Sequence, residues 1–341
     1  MRIFAFIYPW MVAMVLVSLS GCEMEESKDE GGGPVWLVDT NEVMGQVDES
    51  FPFISQPAYQ STEDVVYDSS ALVLAIRTGG QIYVYPNDRM RVEVVNEVFH
   101  DHPVAVTYCP ITGSGLLWDR IYNEDTLAFR ASGMLYRENL MPVDTAHGSI
   151  WSQMLMLCVH GRYAGTRSSN LQLIETNWNT ILKHYPQARV FTLDKNAEVS
   201  SFLASYGIKS APHQSDELQL PEEGDKVPGM VGLKEVVLFP YSLFSSGPRI
   251  IRMGHILVVG DEKERWVNMF EHPGDLSFQS VSDGSAGVMV DNQGSRWDMF
   301  GYALDGPNKG QHLVSPDFYV AKYWAWKSFY DNLRVYESSS E

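Results

Sequence analysis

Basic residues are scarce in this chain. Its 341 residues hold 25 Lys and Arg against 43 Asp and Glu, a formal charge of −18. Such a surface repels phosphate backbones and anionic headgroups, which argues against nucleic-acid binding and against polybasic docking on membranes. Cysteine is scarcer still, and three thiols cannot staple a disulfide scaffold. After residue 21 no apolar run approaches the roughly 18 residues that a spanning helix needs. Compact catalytic signatures are missing too. There is no P-loop, dinucleotide fingerprint, zinc-protease helix or C-x-x-C pair, and Gly113-Ser114-Gly115 has the wrong spacing for a nucleophile elbow. What is present is an ordinary globular composition, 45% hydrophobic and 20% charged. At roughly 150 residues per domain, the length suits about two domains.

The first 21 residues read as a targeting segment, not as part of the fold. Arg2 supplies a positive start, Ile3 to Leu19 is almost wholly apolar, and Leu19-Ser20-Gly21-Cys22 closes the segment with an apolar residue, two small residues and a cysteine. That ending is the lipobox of bacterial lipoproteins. The expectation is a signal peptide over 1–21, cleavage before Cys22 and acylation of its thiol. Residues 22–33, charged and then glycine-rich, follow as a flexible tether. The implied location is the bacterial cell envelope, outside the cytoplasm, with the membrane as partner through the lipid on Cys22. Glu23 stands where some bacteria use Asp to retain lipoproteins at the inner membrane, which points to the outer membrane or the periplasmic face.

The body predicts a mainly β (α+β) fold. Residues 71–77, 81–85, 91–99, 103–109, 115–121 and 126–131 are rich in Val, Ile, Leu, Tyr and Phe. Gly79-Gly80, Asn87-Asp88, His100-Asp101-His102-Pro103 and the stretch from Tyr122 to Asp125 punctuate them, at the spacing of about 8–12 residues that suits antiparallel strands. Two helices are expected. One covers 177–185, with Thr176 as N-cap and Pro186 as its stop. The other covers 317–330, with Ser315 as N-cap and Pro316 in its first turn. In the second, Tyr319, Tyr323, Trp326 and Tyr330 fall on one face suited to burial.

Parts of the chain echo one another. Gly148-Ser149-Ile150-Trp151 recurs as Gly294-Ser295-Arg296-Trp297, and Trp151 and Trp297 are 146 residues apart, as are Trp178 and Trp324. Upstream, Ile82-Tyr83-Val84-Tyr85-Pro86 parallels Val236-Val237-Leu238-Phe239-Pro240. The order of these echoes predicts an antiparallel body of two related halves, 34–209 and 230–341, each closing with a helix. A polar connector at 210–229 joins them.

These motifs resemble a known family. Val106-Thr107-Tyr108-Cys109-Pro110-Ile111-Thr112-Gly113-Ser114-Gly115 resembles its V-T-Y-C-P-L signature. Ser132-Gly133-Met134-Leu135-Tyr136, the stretch 148–153 and the stretch from Gly161 to Gly165 are similar to its further motifs, in the same order. The family is the bacterial domain-of-unknown-function family three-one-seven-nine, and the likeness runs from about Val65 to Tyr336. It implies secreted or lipid-anchored proteins and brings no established activity. The chain departs from the pattern in three places. Thr112 stands where many members have a second cysteine, Val92 replaces a histidine upstream, and Cys158 occupies a position that is small and apolar in relatives.

Several residues are candidates for chemistry. Cys109 precedes a loop whose glycines let backbone N–H groups approach a ligand closely. Its thiol is open to three readings: a nucleophile, a half of a disulfide with Cys158, or a buried free thiol. A groove formed by Tyr108, Cys109, Thr112, Ser114, Ser132, Trp151 and Gln153 is the expected ligand site, with the ligand and any cofactor unspecified. No catalytic residue is assigned. If 154–160 is a strand, Met154, Met156, Cys158 and His160 share one face, a soft donor set suited to Cu(I), or else simply core. His100 and His102 fit an exposed hairpin turn. Glu97, Asp119, Arg120 and Asp144 fit solvated or paired charges. The leading expectation is therefore an envelope ligand-binding or structural module, and the alternative a metal-handling protein or a cysteine-dependent enzyme.

Overall fold

The computed structural model describes residues 35–192, 221–283 and 286–337. The expected signal peptide, tether and lipidation site lie outside the described residues, as does 210–220 of the expected connector. The body is strand-rich, with mostly antiparallel pairing, as its composition and punctuation predict. Alternation explains why its long apolar runs become strands. In Leu72–Thr78, Val73 and Ala75 enter one hydrophobic core while Leu74 and Ile76 enter another. In Ser114–Asp119, Leu116 and Trp118 face a third core and Leu117 faces the second of those two. Successive side chains point to opposite faces, so a strand covered on both faces needs apolar residues at every position. The tips fall at the turn residues. Gly79 and Gly80, with φ of 53° and 85°, join Leu72–Thr78 to Gln81–Pro86. His100 and Asp101, with φ of 49° and 67°, join Val94–Phe99 to His102–Cys109.

The largest sheet orders Leu333–Val335, Val236–Leu238, Lys226–Val231, Phe318–Lys322, Ser114–Asp119, His102–Cys109 and Val94–Phe99. Early and late parts of the chain meet in it where Val320 pairs with Gly115. A second sheet orders Ile174–Asn177, Leu72–Thr78, Gln81–Pro86, Arg189–Thr192 and Ala58–Ser61. The two share one connectivity. A hairpin (Leu72–Thr78 with Gln81–Pro86, or Lys226–Val231 with Val236–Leu238) is flanked by an antiparallel strand that runs straight into a short helix. The helices are Trp178–His184 and Tyr323–Phe329, and in each case the chain then returns as a strand parallel to the second arm of the hairpin. Local details match as well. The N–H of Asp144 donates to the Ser149 carbonyl and that of Asp291 to the Ser295 carbonyl, both at 3.0 Å. Gly161 and Gly306 press against the Cα atoms of these two serines, and Trp151 and Trp297 are both fully buried. Residues 34–341 group into one unit, so the two parts are not separate bodies.

Four local expectations are corrected. Residues 317–330 are not one helix: Phe318–Lys322 is a strand, and the helix is Tyr323–Phe329. Phe318, Tyr319 and Val320 suit a pleated surface, and they pair with strands on both sides. Tyr319 still stacks on Trp326 with ring centroids 4.3 Å apart, so the aromatic residues are core, but at a strand–helix junction. The first helix is capped by Asn177, whose side chain accepts from the Thr180 N–H at 2.8 Å; Thr176 lies in the preceding strand. The strand expected over 154–160 is only Leu157–His160, because Met156 turns with φ 51°. Finally, Lys226 to Gly229, placed in the connector by their polarity, belong to the strand Lys226–Val231.

Candidate functional site

Cys109 ends its strand and pairs with Ser114 across a tight hairpin. Before Ser114 the chain passes through Gly113, whose φ of 65° is the left-handed conformation that glycine adopts without cost. A Cβ at this position would lie 2.5 Å from Cε of Lys226. The glycine therefore permits the turn and also leaves room for a lysine arriving from Lys226–Val231.

A polar cluster forms around that lysine, at the seam where early and late parts of the chain meet. Its ammonium pairs with Glu175 Oε2 and lies 5.5 Å from the centroid of the Tyr108 ring. Asn87 Nδ2 donates to the same carboxylate oxygen at 3.1 Å. The later part of the chain brings Tyr241, whose phenol feels the Glu175 charge and whose ring centroid lies 3.9 Å from the Arg265 guanidinium. Glu175 and Tyr241 are only 2% and 4% exposed. Even so, Glu175 Oε1, Asn87 Oδ1 and Tyr241 Oη are buried with no protein partner. Buried polar atoms are nearly always hydrogen-bonded, and each one left unpaired costs about 1–3 kcal/mol. Burial pulls the Lys226 ammonium below its ordinary range, Glu175 pushes it back up, and Arg265 and Lys322 pull it further down. Burial also raises the phenols of Tyr108 and Tyr241; Glu175 adds to both shifts, while Arg265 opposes the second.

Behind Tyr108 lie Cys109 and Glu93. The Tyr108 N–H donates to the Glu93 carbonyl at 2.8 Å. Burial pushes the Glu93 carboxyl up to about 8. The Cys109 thiol is raised by burial and further by Glu93, against hydrogen bonds from Thr112 and Leu140, and no histidine is among the groups that shift it. Cys109 is thus a neutral thiol at neutral pH, and both it and Cys158 are free.

Of the seven residues expected to line a groove, the structure brings three into one network. Ser114 Oγ donates to Gln153 Oε1 at 2.7 Å and lies 2.9 Å from Thr112 Oγ1. Asn139 Nδ2 reaches all three, at 2.8 to 3.1 Å, and Gln153 Nε2 donates to Thr107 Oγ1 at 3.0 Å. These polar atoms satisfy one another in the interior. Ser132 bonds separately, to the Met141 carbonyl, and Trp151 packs among Trp118, Tyr122 and Phe129. Tyr108 faces Lys226 in the seam, and Cys109 adjoins it. Sequence reasoning missed Asn139, in the network of Ser114 and Gln153, and Asn87, Glu175, Lys226, Tyr241 and Arg265, which lie far apart in the chain and belong to no shared motif.

The other candidates are accounted for by packing and pairing. Met154, Met156 and Cys158 are fully buried, the Cys158 thiol is pushed up to about 12 by burial, and His160 stacks on Trp36 at 4.2 Å. No cluster of three or more His, Cys, Asp or Glu suited to a metal occurs among the described residues. His100 sits in the hairpin turn, and His102 Nε2 lies 3.2 Å from Asp119. Arg120 bonds the Glu97 and Leu127 carbonyls, Glu97 accepts from Tyr59 and Tyr85, and Asp144 accepts from the N–H groups of His147 and Ser149.

The fold and the seam together define a strand-rich protein with a buried polar cluster between early and late parts of the chain. Residues 48–333 match the family model described as protein of unknown function (DUF3179), and the chain belongs to that family. Comparison with curated proteins and with solved structures gives no significant match.

Proposed function

We propose that the protein is a lipid-anchored ligand-binding module of the bacterial cell envelope whose site is the seam around Lys226. The observation that carries this reading is the set of three buried, unpartnered polar atoms: Asn87 Oδ1, Glu175 Oε1 and Tyr241 Oη. Glu175 belongs to a buried ion pair with Lys226, Asn87 donates to the same carboxylate, and the Glu175 charge acts on the Tyr241 phenol. The lipobox ending at Cys22 supports the anchored location. The shared connectivity of the two sheets supports a duplicated unit whose copies close on each other at this seam. A thiolate enzyme finds less support, because burial and Glu93 both hold Cys109 neutral. Native mass spectrometry of protein purified gently from its host tests the reading. The expected result is a non-covalent adduct on the wild type that is lost from Lys226→Met. Identical adduct-free spectra for both would overturn it.

A further inference from the structure

We infer that the seam takes a small hydroxylated carboxylate, a hydroxy acid or sugar acid. This deepens the reading of the seam as a binding site and rests on it. The first argument is charge. Lys226 and Lys322 are direct cross-strand partners, so two like charges share one face of the sheet, an unfavourable arrangement that the Glu175 carboxylate on Lys226 offsets only in part. Arg265 adds a third cation over Tyr241, and Glu175 is the carboxylate paired within the cluster. Around Lys226 itself, the cations Lys322 and Arg265 both act against the single paired carboxylate, a balance that suits an anionic ligand.

The second argument is the pattern of unpartnered atoms. Glu175 Oε1 and Asn87 Oδ1 are acceptors and need donors, which a bare carboxylate lacks. Hydroxyl groups supply those donors, and an ammonium group would add positive charge to a site already rich in it. Tyr241 Oη, a buried and protonated phenol with no protein partner, has a proton free to donate to the carboxylate.

Isothermal titration of the purified full chain against D-glycerate, D-gluconate, acetate, glycerol and inorganic phosphate, at matched ionic strength, tests this. D-glycerate or D-gluconate should bind at least tenfold more tightly than acetate or glycerol, since either of those leaves half of the site unpaired. Tyr241→Phe should weaken that binding about tenfold while the thermal midpoint stays within a few degrees of the wild type. If acetate or phosphate binds as tightly as the hydroxy acids, the ligand class is wrong and the seam remains a site. If no probe binds while Tyr241→Phe matches the wild type, the seam reading itself fails.

Discussion

Replacing Glu93 with glutamine removes a carboxyl that the fold holds away from water. Glu93 is 8% exposed, and burial alone raises it from an ordinary 4.5 to about 8. Between those values the native carboxyl keeps its proton while the unfolded one has released it, so stability falls as pH rises through this window and is complete below it. A shift of that size is worth about 5 kcal/mol in total, of which about 3 kcal/mol is already lost at pH 7. Glutamine has the same shape and carries no charge at any pH. It also keeps the backbone at φ 67°, so the cost of that conformation cancels in the comparison. Glu97, raised by burial to about 7 against hydrogen bonds from Tyr59 and Tyr85 and the nearby Arg120, adds its own slope to both proteins. Urea unfolding of wild type and Glu93→Gln at about pH 5 and about pH 8 should therefore show the difference shifting by about 3 kcal/mol in favour of the variant. Parallel pH dependences in the two proteins would refute the assignment of a protonated buried carboxyl.

Four further outcomes are expected. Gly113→Ala, which places a methyl group on Lys226 and strains a left-handed turn, should cost about 1–3 kcal/mol and abolish seam binding; retained binding in calorimetry would contradict the contact. Gln153→Ala should cost about 2–4 kcal/mol in urea unfolding, since it strands Ser114 and Asn139 in the interior, and a loss within error would show that the network is slack. Cys109 and Cys158, buried thiols raised by burial, should resist iodoacetamide at neutral pH and react after unfolding; fast labelling of native Cys109 would restore the enzyme reading. Cys22→Ser should leave the chain uncleaved and unacylated, and an unmodified N-terminus on wild-type protein from its host would end the lipoprotein proposal.

Strand-rich architecture was legible because long strands such as Leu72–Thr78, His102–Cys109 and Ser114–Asp119 are apolar on both faces, and glycine, asparagine or histidine turns punctuate them. The helix at Trp178 was legible for a similar reason, with a polar cap before it and Pro186 after it. The strand Phe318–Lys322 was not, because aromatic residues three or four apart mimic a helical face and only pairing with distant strands decides between the two. The seam illustrates the same limit. Tyr108 and Gly113 stand out in a motif, whereas Lys226 looks like part of a polar connector until its strand is paired with Lys322. Motif reasoning also took Ser114 and Gln153 for ligand contacts, because buried polar networks and binding sites draw on the same residue types. What separates them is whether the polar atoms satisfy one another, as Ser114 and Gln153 do, or are left over, as Glu175 Oε1 is.

The most direct measurement is a high-resolution electron-density map of the protein crystallised with D-glycerate. The prediction is density for the acid between Lys226 and Tyr241, with its carboxylate on the cations and a hydroxyl donating to Glu175 Oε1. A map in which Glu175 Oε1, Asn87 Oδ1 and Tyr241 Oη bond protein groups directly, with no room between them, would contradict it.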